Sequence, residues 1–211
     1  EFTRRYPLIE LDLRLNDRIV DLVAEQVDVT LRVGPIRQAG LAARRVAQVN
    51  VVTCAAPAYL QDHGEPQTPD DLRQHRLLGL TSASGAPPEW GFPPPYTPKR
   101  LGLKFAMLFN AAEAPIIAAA AGLGVTHTAD IVVAEYVARG ELKLILEDYV
   151  VPGPQISLVY PAAGHQLAKV RVFSDFAADL LLRWNEEVRR WISQPPRPPA
   201  SARLAQHPKI G

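Results

Sequence analysis

The sequence predicts an α/β fold, in which strands and helices alternate along a chain of 211 residues. Several short stretches carry apolar residues at every second position, which is typical of strands. Stretches with the helical spacing of apolar residues lie between them, and glycine or proline follows most of these elements. The length is sufficient for one large domain or two small lobes. No internal repeat is visible.

The first 36 residues are predicted to form a strand–helix–strand unit. Residues 9–15 (IELDLRL) alternate strictly between apolar and polar side chains, as a strand does. Asn16 is a good helix cap and precedes a short run of helical spacing. Residues 27–33 alternate again and end at the turn that begins with Gly34. A strand–helix–strand connection favours two parallel strands with a right-handed crossover.

The middle of the chain is predicted to contain a strand, two helices and a long loop. Residues 44–55 form an extended apolar stretch, and residues 58–63 form a short helix. Thr68 has the features of a helix start, with a proline in the first turn and an acid three residues after it. Residues 79–98 are rich in glycine, proline and serine around two aromatic residues, and we expect a loop anchored by those aromatics.

The second half continues the alternation. Asn110 with Glu113 forms a capping pair for an alanine-rich helix, and Thr128 with Asp130 is expected to open another helix that ends at Arg139. The remaining predicted elements are strands at residues 101–109, 142–146 and 156–160, a short strand before Thr128, and a long amphipathic helix at 167–192.

Residues 194–211 differ from the rest in composition. They contain five prolines and show no periodicity, so we expect a disordered or passive extension. A proline-rich ligand for a partner domain is the alternative. These residues hold three of the 23 basic residues and no acid, which leaves 20 basic against 22 acidic residues in the body. A body with a net charge of −2 is a poor partner for nucleic-acid phosphates.

The sequence contains no pattern of residues typical of catalysis, metal binding or a cofactor. No histidine lies within metal-ligand spacing of another histidine or of the single cysteine, Cys54. No serine stands in a nucleophile elbow, and Gly122-Leu123-Gly124 is only a fragment of a dinucleotide fingerprint. Cys54 is expected to be a small buried residue in a reducing compartment, and no apolar run approaches the roughly 18 residues that span a bilayer.

Polar residues are concentrated where predicted strands end and helices begin. In open α/β sheets ligands bind beyond the carboxyl ends of the strands, where helix N-termini supply free N–H groups. We therefore predict a small-molecule site there, and simple helix capping is the alternative for the asparagines and the threonine. The predicted binding residues are Asn16, Arg32, Gly34, Asn110 and Thr128.

Four ordered stretches resemble the effector-binding domain of LysR-type transcriptional regulators. They are LNDRIVDLVAEQVDVTLRVGPI (15–36), GLAARRVAQVNVVTCAAPAYLQDHGEPQTPDDLRQH (40–75), AAAAGLGVTHTADIVVAEYVARGELKLIL (118–146) and LAKVRVFSDFAADL (167–180). The resemblance covers about residues 1–192. It implies a type 2 periplasmic-binding-protein-like fold, in which two α/β lobes enclose an effector cleft. Lobe I would comprise residues 1–54 and 158–193, and lobe II residues 55–157.

Two features depart from the family pattern. Residues 1–7 match the end of the domain's first helix, so the first strand of lobe I is expected to be missing from this chain. His127 and Ala129 stand where many members have an apolar or amide residue and a proline.

The resemblance implies a ligand-sensing domain rather than an enzyme. It would bind a small effector, which we expect to be anionic, and would control DNA binding by an N-terminal winged helix-turn-helix that this chain does not contain. A cytoplasmic homodimer or homotetramer without membrane contact is expected. The alternative is a solute-binding protein of a transport system, and the third hypothesis is an enzyme that has the same fold.

Overall fold

A computed structural model describes residues 1–15, 20–36, 38–82, 85–162 and 167–193. Its helices are α1 Phe2–Arg5, α2 Pro57–His63, α3 Pro98–Leu101, α4 Ala114–Ala120, α5 Asp130–Ala138 and α6 Ala168–Ser193, with 3-10 turns at Pro69–Gln74 and Glu147–Tyr149. Its strands are β1 Thr30–Val33, β2 Leu41–Ala55, β3 Leu77–Leu80, β4 Phe105–Phe109, β5 Val125–Ala129, β6 Lys143–Ile145 and β7 Val151–Pro161.

The chain forms two compact units. The first unit comprises Glu1–Val49 and Gly153–Glu187, and the second comprises Asn50–Pro152 with the end of α6 from Val188. No described helix combines the length and the apolar character that crossing a membrane requires.

The first unit is built on β1, β7 and the N-terminal part of β2. β1 runs antiparallel to β7, with Arg32 opposite Ser157, and β7 is also paired with β2. Against α6, the ring of Phe2 packs edge-on to Phe173 and Phe176, each with a centroid distance of 5.2 Å. Because the buried ring of Phe2 packs on these two half-buried rings, the short α1 is held in place by apolar contact with the long helix.

The second unit has a sheet with parallel and antiparallel pairs. β3 lies between β4 and β5 and is parallel to both, whereas the C-terminal part of β2 is antiparallel to β5 and to β6. One face of the sheet packs on α2 and the segment around Trp90, and the other face packs on α4 and α5. The three parallel strands therefore end at one common edge.

Gly124 allows two backbones of the second unit to approach closely. The amide of Val125 donates to the carbonyl of Arg76 at 2.8 Å. A Cβ atom on Gly124 would lie 2.2 Å from that same carbonyl oxygen. Only glycine therefore fits where β5 begins beside β3.

The predicted α/β class is confirmed, and the predicted strands at 44–55, 101–109, 142–146 and 156–160 overlap β2, β4, β6 and β7. The helices predicted at 58–63 and 167–192 are α2 and α6, and the aromatic anchors of the long loop are buried. The helix start at Asn16 and the tail 194–211 lie outside the described residues.

The prediction of a strand at residues 9–15, parallel to the strand at 27–33, is wrong. Residues 9–15 have no regular secondary structure and pair with no described strand, and β1 pairs antiparallel to β7 instead. Their side chains are mostly exposed, with Leu13 at 68% and Leu15 at 87%. Alternation alone does not make a strand, because a ladder needs a neighbouring backbone to receive its hydrogen bonds.

Candidate functional site

The second unit brings two of the predicted residues to the edge where its parallel strands end. Leu80 of β3 is level with Phe109 of β4, and Leu78 is level with Thr126 of β5. The same register places Thr128 level with Leu80, and Asn110 directly follows Phe109. This is the type of edge at which open α/β sheets bind ligands.

We predicted that Asn110 caps the following helix, and this prediction is wrong. The N-cap of α4 is Glu113, and Pro115 lies in the first turn. Because proline is accepted only in the first turn, the helix begins too late for Asn110 to reach its free N–H groups. Asn110 is exposed, and its side-chain amide makes no hydrogen bond to another described residue.

Thr128 is not a helix cap either. It lies inside β5 opposite Val52, and the N-cap of α5 is Ala129. The prediction failed because the strand continues one residue beyond Thr128 before α5 begins. Its half-buried hydroxyl has no partner within the described part of the chain, so it can donate or accept one hydrogen bond at this edge.

The start of α5 already carries a negative charge. The carboxylate of Asp130 is buried, accepts a hydrogen bond from the amide of Ile131 at 2.8 Å and accepts another from the Asn50 side chain at 3.0 Å. A carboxylate at a helix N-terminus offsets the positive end of the helix dipole. An anion is therefore not favoured at the start of α5, although helix N-termini in general attract anions.

We did not predict a role for Asn50. It contacts a residue 80 positions away in the chain, which no local pattern reveals. The only signal was a polar amide inside the otherwise apolar stretch 49–56.

His127 lies in an aromatic environment on the other face of β5 from Thr128. Its Nδ1 atom is 2.9 Å from the hydroxyl oxygen of Thr53, which is directly opposite on β2. Its ring lies against Trp90 and Phe92, with centroid distances of 5.2 and 4.7 Å. Burial lowers the pKa of His127 to about 4, so the ring is neutral at pH 7.

The first unit contains the other two predicted residues that the structure describes. The Nη2 atom of Arg32 donates to the carbonyl of Val20 at 2.6 Å and to the side chain of Gln38 at 3.3 Å. Its Nε and Nη1 groups have no partner among the described residues, so Arg32 retains N–H donors for an acceptor.

Gly34 follows the end of β1 with a φ of +101°, a conformation that favours glycine. Its amide extends the β1–β7 ladder by donating to the carbonyl of Gln155 at 2.9 Å. Asn16, the remaining predicted residue, lies outside the described ranges.

Two further observations concern the cysteine and the side chains that bind metals. The Cys54 thiol is fully buried, as predicted, and burial raises its pKa to about 12. Such a thiol is almost entirely protonated and is a poor nucleophile. The described histidine, cysteine and carboxylate side chains form no group of three or more that could hold a metal ion.

Comparison with known proteins gives consistent results. The family described as "LysR substrate binding domain" matches residues 1–181. The uncharacterized HTH-type transcriptional regulator YhjC of Escherichia coli is 32% identical over 86% of this chain and 61% of its own length. The regulatory domain of CrgA, a LysR-type regulator from Neisseria meningitidis, matches with a TM-score of 0.71 and 26% identity over 85% of this chain and 88% of that domain.

Full-length AphB, a virulence activator of Vibrio cholerae, matches with a TM-score of 0.67 and 29% identity over 86% of this chain and 61% of AphB. The chain thus spans about three fifths of the length of YhjC and of AphB.

Proposed function

The chain belongs to the LysR substrate-binding domain family, and we propose that it senses a small effector and thereby controls DNA binding by an N-terminal winged helix-turn-helix of the whole protein. The observation that carries this proposal is the strand edge of the second unit, where Thr128 and Asn110 offer polar groups that no described residue engages. The domain acts by binding and not by catalysis.

The proposed effector-binding residues form two sets that can be tested separately. In the first unit they are Arg32 and Gly34, together with Asn16, and in the second they are Asn110 and Thr128. The lobe boundaries of 1–54 with 158–193 and of 55–157 stay a prediction.

We expect the effector to carry a carboxylate or a similar anionic group, and Arg32 is the residue that supports this. Its guanidinium retains three N–H donors, one on Nε and two on Nη1, and charge-assisted hydrogen bonds of this kind are stronger than neutral ones. The start of α5 does not support an anionic effector, because the carboxylate of Asp130 occupies it. Thr128 and Asn110 suit the uncharged polar groups of a ligand.

The whole protein is proposed to be a homodimer or homotetramer that contacts DNA only through its N-terminal domain. The net charge of −2 on residues 1–193 supports this proposal, because a mildly acidic domain is a poor partner for DNA phosphates. A solute-binding protein of a transport system is not favoured, since YhjC, CrgA and AphB are described as transcriptional regulators.

A thermal-shift screen of small carboxylates and matched neutral analogues tests the proposal. A true effector at 100 times its Kd stabilises the fold by about 2.7 kcal/mol, which raises the Tm by roughly 5–10 °C for a domain of this size. Arg32→Ala should abolish most of this shift, whereas Arg45→Ala, an exposed arginine on β2, should leave it unchanged. A response only to neutral compounds would contradict the anionic effector but not the sensing function.

A further inference from the structure

The half-buried ring of His127 packs against two aromatic side chains in the second unit. Trp90 and Phe92 both contact it, and both are buried. Trp90 also packs edge-on to Phe105 of β4, with centroids 5.4 Å apart. Residues 85–97, here called the covering segment, are thus attached to the sheet through this cluster of rings.

The polar contacts of His127 satisfy only one of its two ring nitrogens. Nδ1 contacts the Thr53 hydroxyl, and that threonine is only 2% exposed. Nε2 is buried and has no hydrogen-bond partner among the described residues. A neutral ring has one donor and one acceptor nitrogen, but a protonated ring is a donor at both. Protonation would therefore place a charge inside an apolar cluster, where, among the described residues, only the backbone of Gly91 favours the charged ring.

We propose that Thr53 and His127 form a proton-sensitive latch that holds the covering segment on β5. While the ring is neutral, it packs between the two aromatic side chains and keeps its one hydrogen bond. When the ring takes up a proton, the segment separates from β5 so that water can solvate Nε2. The latch lies within the second unit and operates without an effector.

Within the described ranges, no charged side chain compensates a protonated His127. Burial is the main cause of its low pKa, and only the backbone of Gly91 favours the charged form. The ionisable side chains on the surrounding elements are Glu89 and Tyr96 of the covering segment, Lys104 before β4, Lys143 of β6, and Tyr59, Asp62 and His63 of α2. None of them contributes to the shift.

The difference between the pKa of His127 in the closed and in the open segment determines how strongly opening depends on pH. His127 in the closed segment has a pKa of about 4, and a solvated histidine in the open segment has the ordinary value of 6.5. Opening is therefore favoured as the pH falls below 6.5 and becomes insensitive to pH below 4. Proton linkage increases the opening equilibrium about 20-fold between pH 7 and pH 5, and about 300-fold at its limit relative to the fully neutral ring.

The test combines two measurements on the 211-residue chain. NMR titration of the histidine rings should show His127 titrating well below pH 5.5. Hydrogen exchange of the buried Trp90 indole N–H, corrected for the intrinsic effect of pH on exchange, should lose about 20-fold protection between pH 7 and pH 5. His127→Gln should remove this dependence. His75→Gln should retain it, although burial also lowers the pKa of His75.

Two results would overturn the latch. One is a His127 ring that titrates near pH 6.5 in the folded protein. The other is a pH-dependent loss of protection in His127→Gln equal to that of the parent chain. If His127→Gln does not fold, Thr53→Val supplies the second variant, because it keeps the titrating ring and removes its one hydrogen bond. The proposal then predicts lower hydrogen-exchange protection in Thr53→Val than in the parent chain at pH 7. Unchanged protection would refute it.

Discussion

Replacing Asp130 with alanine should destabilise the second unit more than most surface changes. The substitution removes two hydrogen bonds to a buried carboxylate, from the amide of Ile131 and the side chain of Asn50. Loss of a carboxylate from the first turn of a helix costs about 0.3–1 kcal/mol through the helix dipole. A charge-assisted hydrogen bond contributes about 1.5–3 kcal/mol, and the Asn50 amide is left without its partner. The expected loss is about 3 kcal/mol, or roughly 6–12 °C in Tm.

The assay is urea unfolding followed by fluorescence, arranged as a double-mutant cycle of Asp130→Ala and Asn50→Ala. Since the two side chains contact each other at 3.0 Å, their effects should be non-additive by at least about 1 kcal/mol. Glu135→Ala on the same helix is the matched control. Its carboxylate makes an exposed ion pair with Arg139, so its removal should change stability by less than about 0.5 kcal/mol.

The reasoning would be refuted if Asp130→Ala changed stability no more than Glu135→Ala, or if the cycle were additive. Asp130→Asn extends the test to ligand binding, because it keeps the shape and removes the charge. If the carboxylate repels anions from the start of α5, this variant should show larger thermal shifts with small carboxylates than the parent chain does.

Three further predictions follow from other features. Gly124→Ala should destabilise the fold by several kcal/mol, because its Cβ would meet the Arg76 carbonyl at 2.2 Å; a normal Tm would show that the close approach is wrong. The chain should self-associate at tens of micromolar in sedimentation, driven by the exposed leucines of residues 9–15, and Leu13→Asp should weaken this association. Sedimentation that shows monomer alone at this concentration would contradict the predicted self-association. The chain alone should not bind duplex DNA selectively, since residues 1–193 carry a net charge of −2; nanomolar selective binding in a gel shift at about 150 mM salt would contradict this.

Local patterns predicted the elements that local interactions determine. The capping box at Thr68 is present because Asp71 lies three residues away and can reach back to the Thr68 amide, at 2.8 Å. The long helix α6 and the burial of Cys54 followed from periodicity and composition. In each of these cases the information lies within a few neighbouring residues.

The rest depended on distant contacts or on competing signals. The strand predicted at 9–15 failed because its neighbour in the sheet is a tertiary property that alternation cannot supply. Asn110 was misplaced because Pro115 delays the start of α4. The Asn50–Asp130 and Thr53–His127 contacts join residues 80 and 74 positions apart, so they become visible only once the strands are paired.

The buried thiol of Cys54 has a practical consequence for spectroscopy. It is the single cysteine of the chain, it is fully buried, and its raised pKa keeps it protonated. A maleimide dye or nitroxide spin label would therefore react with any cysteine introduced on the surface and leave the native thiol unlabelled. Single-site probes can be placed on either unit without first mutating the core, and motions of each unit can be followed in an otherwise unaltered protein.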